Sequence, residues 1–188
     1  MRIKVGVMGS AGDTLPEGVR EELRAKAEGL GRAVAARGLV LLTGATTGLP
    51  ALVAGAARAA GALHVGVSPA ASEREHTQVF QYPTDGCDLI VYTGFGLKGR
   101  NVVLVRSCDL VVFFRGSMGA LNEFTIAHDE GRVIGCLTGT GGVADEAPYL
   151  LRAFPKEAGA RVFSDDDPAR LLDACLDALS QPVRAKGG

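Results

Sequence analysis

This sequence predicts a doubly wound α/β fold, a mostly parallel sheet covered by helices on both faces, and three observations predict it. Short, almost uninterrupted apolar runs recur at Ile3–Met8, Leu39–Thr43, Leu63–Ser68, Leu110–Phe114 and Val133–Leu137. Such runs fit strands buried on both faces, the pattern of a parallel sheet. Helical periodicity separates them, as in Gly18–Arg37, where Leu23, Ala27, Leu30 and Val34 share one side. Glycines mark the junctions between the two patterns. Units of this kind joined by right-handed crossovers give a single-domain, Rossmann-like sheet. A flavodoxin-like strand order is the alternative, and it keeps the same ligand edge.

Taken in order, the first helix stops at Gly38, as helices do where glycine adopts a left-handed conformation. Thr46-Thr47-Gly48 opens an alanine-rich helix that closes at Gly61. Residues 69–86 are polar, contain Glu73, Arg74, Glu75 and His76, and show no periodicity. They read as a long loop, a kind usually tied to function or mobility. Asp88–Thr93 is a fourth strand and Arg100–Ser107 a helix; Leu121–Glu130 and Asp145–Phe154 are further helices. Arg161–Phe163 reads as a short edge strand. Pro168–Leu179 is the closing helix, with Asp165–Asp167 at its N-terminus. One domain is expected over residues 1–180, with 181–188 a frayed tail.

The chain has 188 residues, 47% hydrophobic and 22% charged, with a formal net charge of -1. Basic residues never run beyond a pair, which argues against a nucleic-acid groove or a membrane-binding surface. No apolar run nears the roughly 18–20 residues of a membrane span. The opening MRIKVGVMGS has no signal-peptide layout, so the expected location is cytoplasmic. Cys87, Cys108, Cys136 and Cys175 are scattered singly and read as reduced, partly buried thiols. His64, His76 and His128 are isolated, so no metal site built from neighbouring ligands is expected.

In sheets of this kind ligands bind beyond the carboxyl ends of the strands, where the strand order reverses. Five glycine-containing loops fall on that edge: Gly9-Ser10-Ala11-Gly12, Gly44-Ala45-Thr46-Thr47-Gly48, Thr93-Gly94-Phe95-Gly96, Gly116–Gly119 and Gly139–Gly142. Glycine lets backbone N–H groups approach a ligand, although each loop also serves as an ordinary tight turn. The most telling is Arg115-Gly116-Ser117-Met118-Gly119. It lies between a buried strand and a helix whose first N–H groups make a phosphate seat. Arg100 and Glu123 frame it. Gly119 and Ala120 share a helix face with Glu123, and helical side chains lean toward the N-terminus, so Glu123 points back at the turn. A guanidinium at Arg100 suits bidentate phosphate recognition. Arg115 either binds a ligand anion or faces solvent, and His128 reads as a surface or interface residue. The first loop does not give GxGxxG, and Thr43-Gly44 stands where a dinucleotide fold places its ribose-binding acid; GxxxxGK[ST] is missing from the chain.

These residues resemble the LOG-like superfamily, which includes cytokinin-activating phosphoribohydrolases and molybdenum-cofactor carrier proteins. The mark of that family is an arginine, a helix and a strand, then PGGxGTxxE. Here Arg100 stands 23 positions before Glu123, and the segment from Arg115 to Glu123 occupies the motif. Thr93-Gly94-Phe95-Gly96, Gly99-Arg100-Asn101 and Leu104-Val105-Arg106-Ser107 look closer to the carrier branch. The likeness runs from about Ile3 to Gly142. Arg115, Ser117 and Ala120 replace the motif's Pro, second Gly and Thr, and Asn101 stands where the hydrolase branch commonly has Lys. The lysine-decarboxylase label long attached to the family gains no support, because no pyridoxal-phosphate lysine site is recognisable. The loops and the resemblance together imply a ligand site at Gly9, Ser10, Gly44, Thr46, Thr47, Gly48, Gly94, Asn101, Gly116, Ser117, Met118, Gly119 and Ala120. Arg100 and Glu123 are the expected catalytic pair. The implied ligand is an AMP-like nucleotide or molybdenum cofactor, with no cofactor required. A homodimer or higher homo-oligomer is expected, with apolar positions of Gly119–Gly131 at its interface.

Two functions stay open. One is hydrolysis of the N-glycosidic bond of a nucleoside 5′-monophosphate to free base and ribose 5-phosphate. There the glycine loops hold phosphate, Arg100 anchors phosphate or ribose, and Glu123 stabilises oxocarbenium-like charge or orients water. The other is a non-catalytic carrier or sensor for a nucleotide or a pterin-phosphate such as molybdenum cofactor. The altered turn and Gly99-Arg100-Asn101 favour it.

Overall fold

A computed structural model describes residues 1–11 and 17–181, so Gly12 and the tail beyond Gln181 lie outside the described residues. Within them, strands β1 (Lys4–Gly9), β2 (Val40–Thr43), β3 (Leu63–Ser68), β4 (Leu89–Tyr92), β5 (Leu110–Phe114), β6 (Val133–Leu137) and β7 (Arg161–Asp165) alternate with helices along the chain. The helices are α1 (Glu17–Ala36), α2 (Leu49–Ala59), α3 (Glu73–Gln78), α4 (Gly96–Ser107), α5 (Met118–Asp129), α6 (Val143–Ala153) and α7 (Pro168–Ser180). The strands form one parallel sheet in the order β4-β3-β2-β1-β5-β6-β7. This is the expected doubly wound, Rossmann-like α/β architecture. The chain runs outward from β1 to β4, then crosses back through α4 to place β5 beside β1. The β1–β5 junction is therefore the point where strand order reverses, and a crevice opens at its carboxyl end.

Strand composition builds two cores. Along β5, Leu110, Val112 and Phe114 point into one and Val111 and Phe113 into the other. That is period-two alternation with both faces apolar. The first core joins them to Leu23, Leu30, Val53, Leu171 and Leu172 from α1, α2 and α7. The second joins them to Leu104, Val105, Phe124 and Ala147 from α4, α5 and α6. Phe113 and Phe114 are wholly buried; removing each ring from water contributes roughly 2–3 kcal/mol.

Two elements differ from expectation. Residues 69–86 contain a short helix, α3. Ser72 accepts from the Glu75 N–H at 3.2 Å, and the Glu75 carboxylate reaches back to the Ala71 N–H at 2.8 Å. Reciprocal capping stabilises a single turn and a half that is too brief to show periodicity. The second difference is α4, which starts at Gly96 and not at Arg100, so Arg100 lies in its second turn. Gly96 and Gly99 hid that start, because glycine is a poor helix former.

Candidate functional site

The β5–α5 turn is built by two successive left-handed residues, Arg115 (φ 60°) and Gly116 (φ 103°). They reverse the chain so that α5 begins at Met118. Ser117 is its N-cap but makes no capping hydrogen bond with its side chain, and no acidic residue lies in the first turn. The leading N–H groups of α5 and the positive end of its dipole are thus left without a neutralising side chain.

The turn is held from behind by the β6–α6 loop. The N–H groups of Val143 and Ala144 donate to the carbonyls of Gly116 and Arg115, both at 3.1 Å. Thr140 Oγ1 accepts from the Arg115 N–H at 2.9 Å, and the Arg115 Nη1 donates to the Thr140 carbonyl at 2.8 Å. Arg115 therefore binds protein backbone, which is neither of the two alternatives read from the sequence. The Asp145 carboxylate accepts from Gly139 N (2.8 Å) and Gly141 N (2.7 Å). The Gly139–Gly142 loop spends its donors on the protein itself.

In front of the turn lies a cleft of about 240 Å³. Of the residues named from sequence, Gly9, Gly44, Thr46, Arg100, Asn101, Ser117, Gly119, Ala120 and Glu123 line it. Gly9 ends β1, and a Cβ there would sit 2.6 Å from the Phe114 carbonyl oxygen. Gly44 follows β2, and a Cβ there would fall on the Arg100 guanidinium. The remaining six are outside the lining. The Ser10 carbonyl accepts from Leu49 N at 3.1 Å, Gly48 is the N-cap of α2, and Thr47 is exposed. Gly94 N donates to the Ala70 carbonyl at 2.9 Å in the turn after β4. Gly116 shapes the turn beneath Ala120 and Val143, while Met118 is 74% exposed. Tyr82, Lys98, Leu97 and Pro50 line the cleft without having been singled out for it. Tyr82 carried a weak signal, since it belongs to the long 69–86 crossover.

Arg100 and Glu123 are each only 7% exposed. Burial pushes the Arg100 guanidinium down from its usual range, while the Glu123 carboxylate and then the Tyr82 phenol pull it back up. Its Nε is buried without a hydrogen-bond partner. Burial pushes the Glu123 carboxyl up to about 7, against the opposing pull of Arg100 and Lys98. Among the described residues no ion pair of 4.0 Å or less joins Arg100 to Glu123, although both side chains line the same cleft. Asn101 is buried, and its amide lies 2.9 Å from Asn122 Oδ1. With its amide nitrogen turned inward it donates to the Leu97 carbonyl at 3.0 Å and to Glu123 Oε1 at 3.1 Å. Among the described residues no group of His, Cys, Asp and Glu is placed to hold a metal ion, and no helix is long and apolar enough to cross a membrane.

Comparison with known proteins follows the same lines. An uncharacterized protein of Archaeoglobus fulgidus is 29% identical over 176 residues, covering 94% of this chain and 96% of its own. The solved structure of TM1055 is 26% identical with a TM-score of 0.78, covering 92% of this chain and 99% of that one. The molybdenum cofactor binding protein of Rippkaea orientalis (21% identity, TM-score 0.74, 96% and 99% covered) shares the fold. So does the molybdenum cofactor carrier protein of Chlamydomonas reinhardtii (23%, 0.70, 96% and 100%). Residues 2–172 match the SLOG cluster4 family. The chain belongs to the SLOG cluster4 family, in agreement with the LOG-like resemblance of its Arg100-to-Glu123 segment.

Proposed function

We propose that the protein binds a small phosphate-bearing ligand of the nucleotide or pterin-phosphate class in the β1–β5 cleft, and carries or senses it without transforming it. One observation supports this most. A buried guanidinium with an unpartnered Nε opens onto the same cleft as the uncapped N-terminus of α5. Burying a cation with an unmet donor is costly, and an anion seated between the two positive elements offsets that cost. The N–H groups of the Ser117–Ala120 turn would take phosphate oxygens, and Gly9 and Gly44 let a ligand lie close to backbone. Ser10, Thr47, Gly48, Gly94, Gly116 and Met118 would serve by shaping these loops. The fold shared with molybdenum-cofactor proteins favours a pterin-phosphate within this class. Molybdenum cofactor would then be cargo, its phosphate on the α5 turn and Arg100.

Hydrolysis of a nucleoside 5′-monophosphate is the second reading, and Glu123 favours it. A buried carboxyl that titrates at about 7 can take a proton from an attacking water at neutral pH. Native mass spectrometry of freshly purified protein, with and without added AMP, tests the binding claim. A bound phosphate ester is expected, and bare protein under both conditions sinks it. Incubating saturating protein with AMP separates the readings. The carrier reading expects no free adenine, whereas adenine release abolished by Glu123→Ala establishes hydrolysis. The protein is proposed to act in the cytoplasm as a homodimer. An apolar groove of about 340 Å³ between α5 and α6, lined by Leu121, Phe124, Leu150 and Phe154, is where a second copy would pack. Light scattering that returns a monomer mass would refute it.

A further inference from the structure

We infer that Tyr82 recognises an aromatic ring in the ligand, at the end of the cleft away from the phosphate turn; this rests on the phosphate-ligand reading above. Tyr82 is the one aromatic residue among the described residues lining the cleft. It lies in the β3–β4 crossover, near enough to Arg100 for its phenol to act on the guanidinium. That guanidinium packs on Gly44 at the end of β2. The phosphate turn follows β5, two strands away across β1. At about 4.8 Å per strand the ends of β2 and β5 are roughly 10 Å apart. The cleft thus runs from the N–H-rich α5 turn, past the Arg100 guanidinium, to the Tyr82 ring.

The crossover is fixed to the sheet by a buried histidine. His76 is 0% exposed. Its Nε2 lies 3.1 Å from the Pro83 carbonyl, which only accepts, so this nitrogen carries the proton. Its Nδ1 then accepts from the Ser68 hydroxyl at 2.8 Å, at the end of β3. The Tyr82 N–H donates to the His76 carbonyl at 3.0 Å. The His76 ring stands edge-on to Tyr82 at 5.6 Å, and Phe80 stacks on Tyr82 at 5.7 Å. The Tyr82 ring is therefore oriented before any ligand arrives, which lowers the ordering cost of stacking.

Calorimetric titration of the full chain with AMP and with ribose 5-phosphate tests the assignment, using wild type, Tyr82→Leu and Tyr82→Phe. In Tyr82→Leu the AMP Kd should rise about tenfold, the scale of one lost stacking contact. Ribose 5-phosphate should stay within twofold in that variant, and Tyr82→Phe should keep AMP binding within twofold. Equal loss for both ligands in Tyr82→Leu, or no loss of AMP, overturns the inference. Wild type that binds ribose 5-phosphate as tightly as AMP overturns this inference alone. Wild type that binds neither overturns the phosphate-ligand reading and this one with it.

Discussion

The Arg115–Gly119 and Gly139–Gly142 turns look alike in sequence, and they differ in what they do with their backbone donors. Each follows a fully buried strand, each uses left-handed residues, and each opens a helix. Behind β6, Asp145 takes the N–H groups of Gly139 and Gly141, and the first N–H groups of α6 go to the Arg115 and Gly116 carbonyls. Behind β5, Ser117 caps nothing and the α5 terminus faces the cleft. The lesson is that a glycine turn becomes a ligand seat when its donors are left unspent at the reversal point of the sheet. The second turn buttresses the first.

Gly116→Val should have the largest effect on this contrast. A β-branched residue at φ 103°, with its Cβ falling on that of Ala120, should cost about 3 kcal/mol and remove any rise in Tm on adding AMP. A Tm shift by AMP equal to that of wild type would place the seat elsewhere. Glu123 should come next, through pH. Its carboxyl rises from 4.5 unfolded to about 7 folded, so the folded chain holds this proton more tightly. Its contribution to stability is complete below about 4.5 and is lost as pH rises to about 7, a difference of up to about 3 kcal/mol. Denaturant unfolding at pH 5 and pH 8 should show that Glu123→Gln removes this dependence and gains stability at pH 8. Equal pH slopes in wild type and variant would contradict it.

Smaller changes sharpen the contrast. Gly139→Ala imposes a left-handed alanine (φ 69°) on an exposed site with only Lys26 Nζ nearby, 3.7 Å away. It should cost about 1 kcal/mol and leave the AMP-induced Tm shift intact. Gly119→Ala should do the reverse. A Cβ there meets nothing within 4 Å, so α5 gains about 0.5–1 kcal/mol of helix propensity. The added methyl enters the cleft, and the AMP Kd should rise several-fold by calorimetry. Unchanged AMP affinity in Gly119→Ala would remove this face of α5 from the seat.

Much of this was legible in the sequence because local rules govern it. Apolar runs such as Leu110–Phe114 and Val133–Leu137 define buried strands by themselves, and both were read to the residue. That Arg100 and Glu123 would lie at one crevice was legible because both belong to elements at the carboxyl edge of the sheet. Helix starts hidden by glycine, as at Gly96, and the brief capped turn at Glu73–Gln78 were not legible, since neither displays a period. The role of Arg115 was also out of reach, because its partner Thr140 belongs to a loop beyond the next strand.

Sequence alone determined the alternation of strand and helix, the two-sided apolar core and the residues able to form an anion seat. All follow from periodicity and from backbone freedom at glycine. Tertiary structure alone decided which glycine turn kept its donors, how far Arg100 and Glu123 were buried, and that Tyr82 reached the cleft. Those outcomes depend on strand order and on hydrogen-bond partners distant along the chain, and desolvation acts only after the chain has packed.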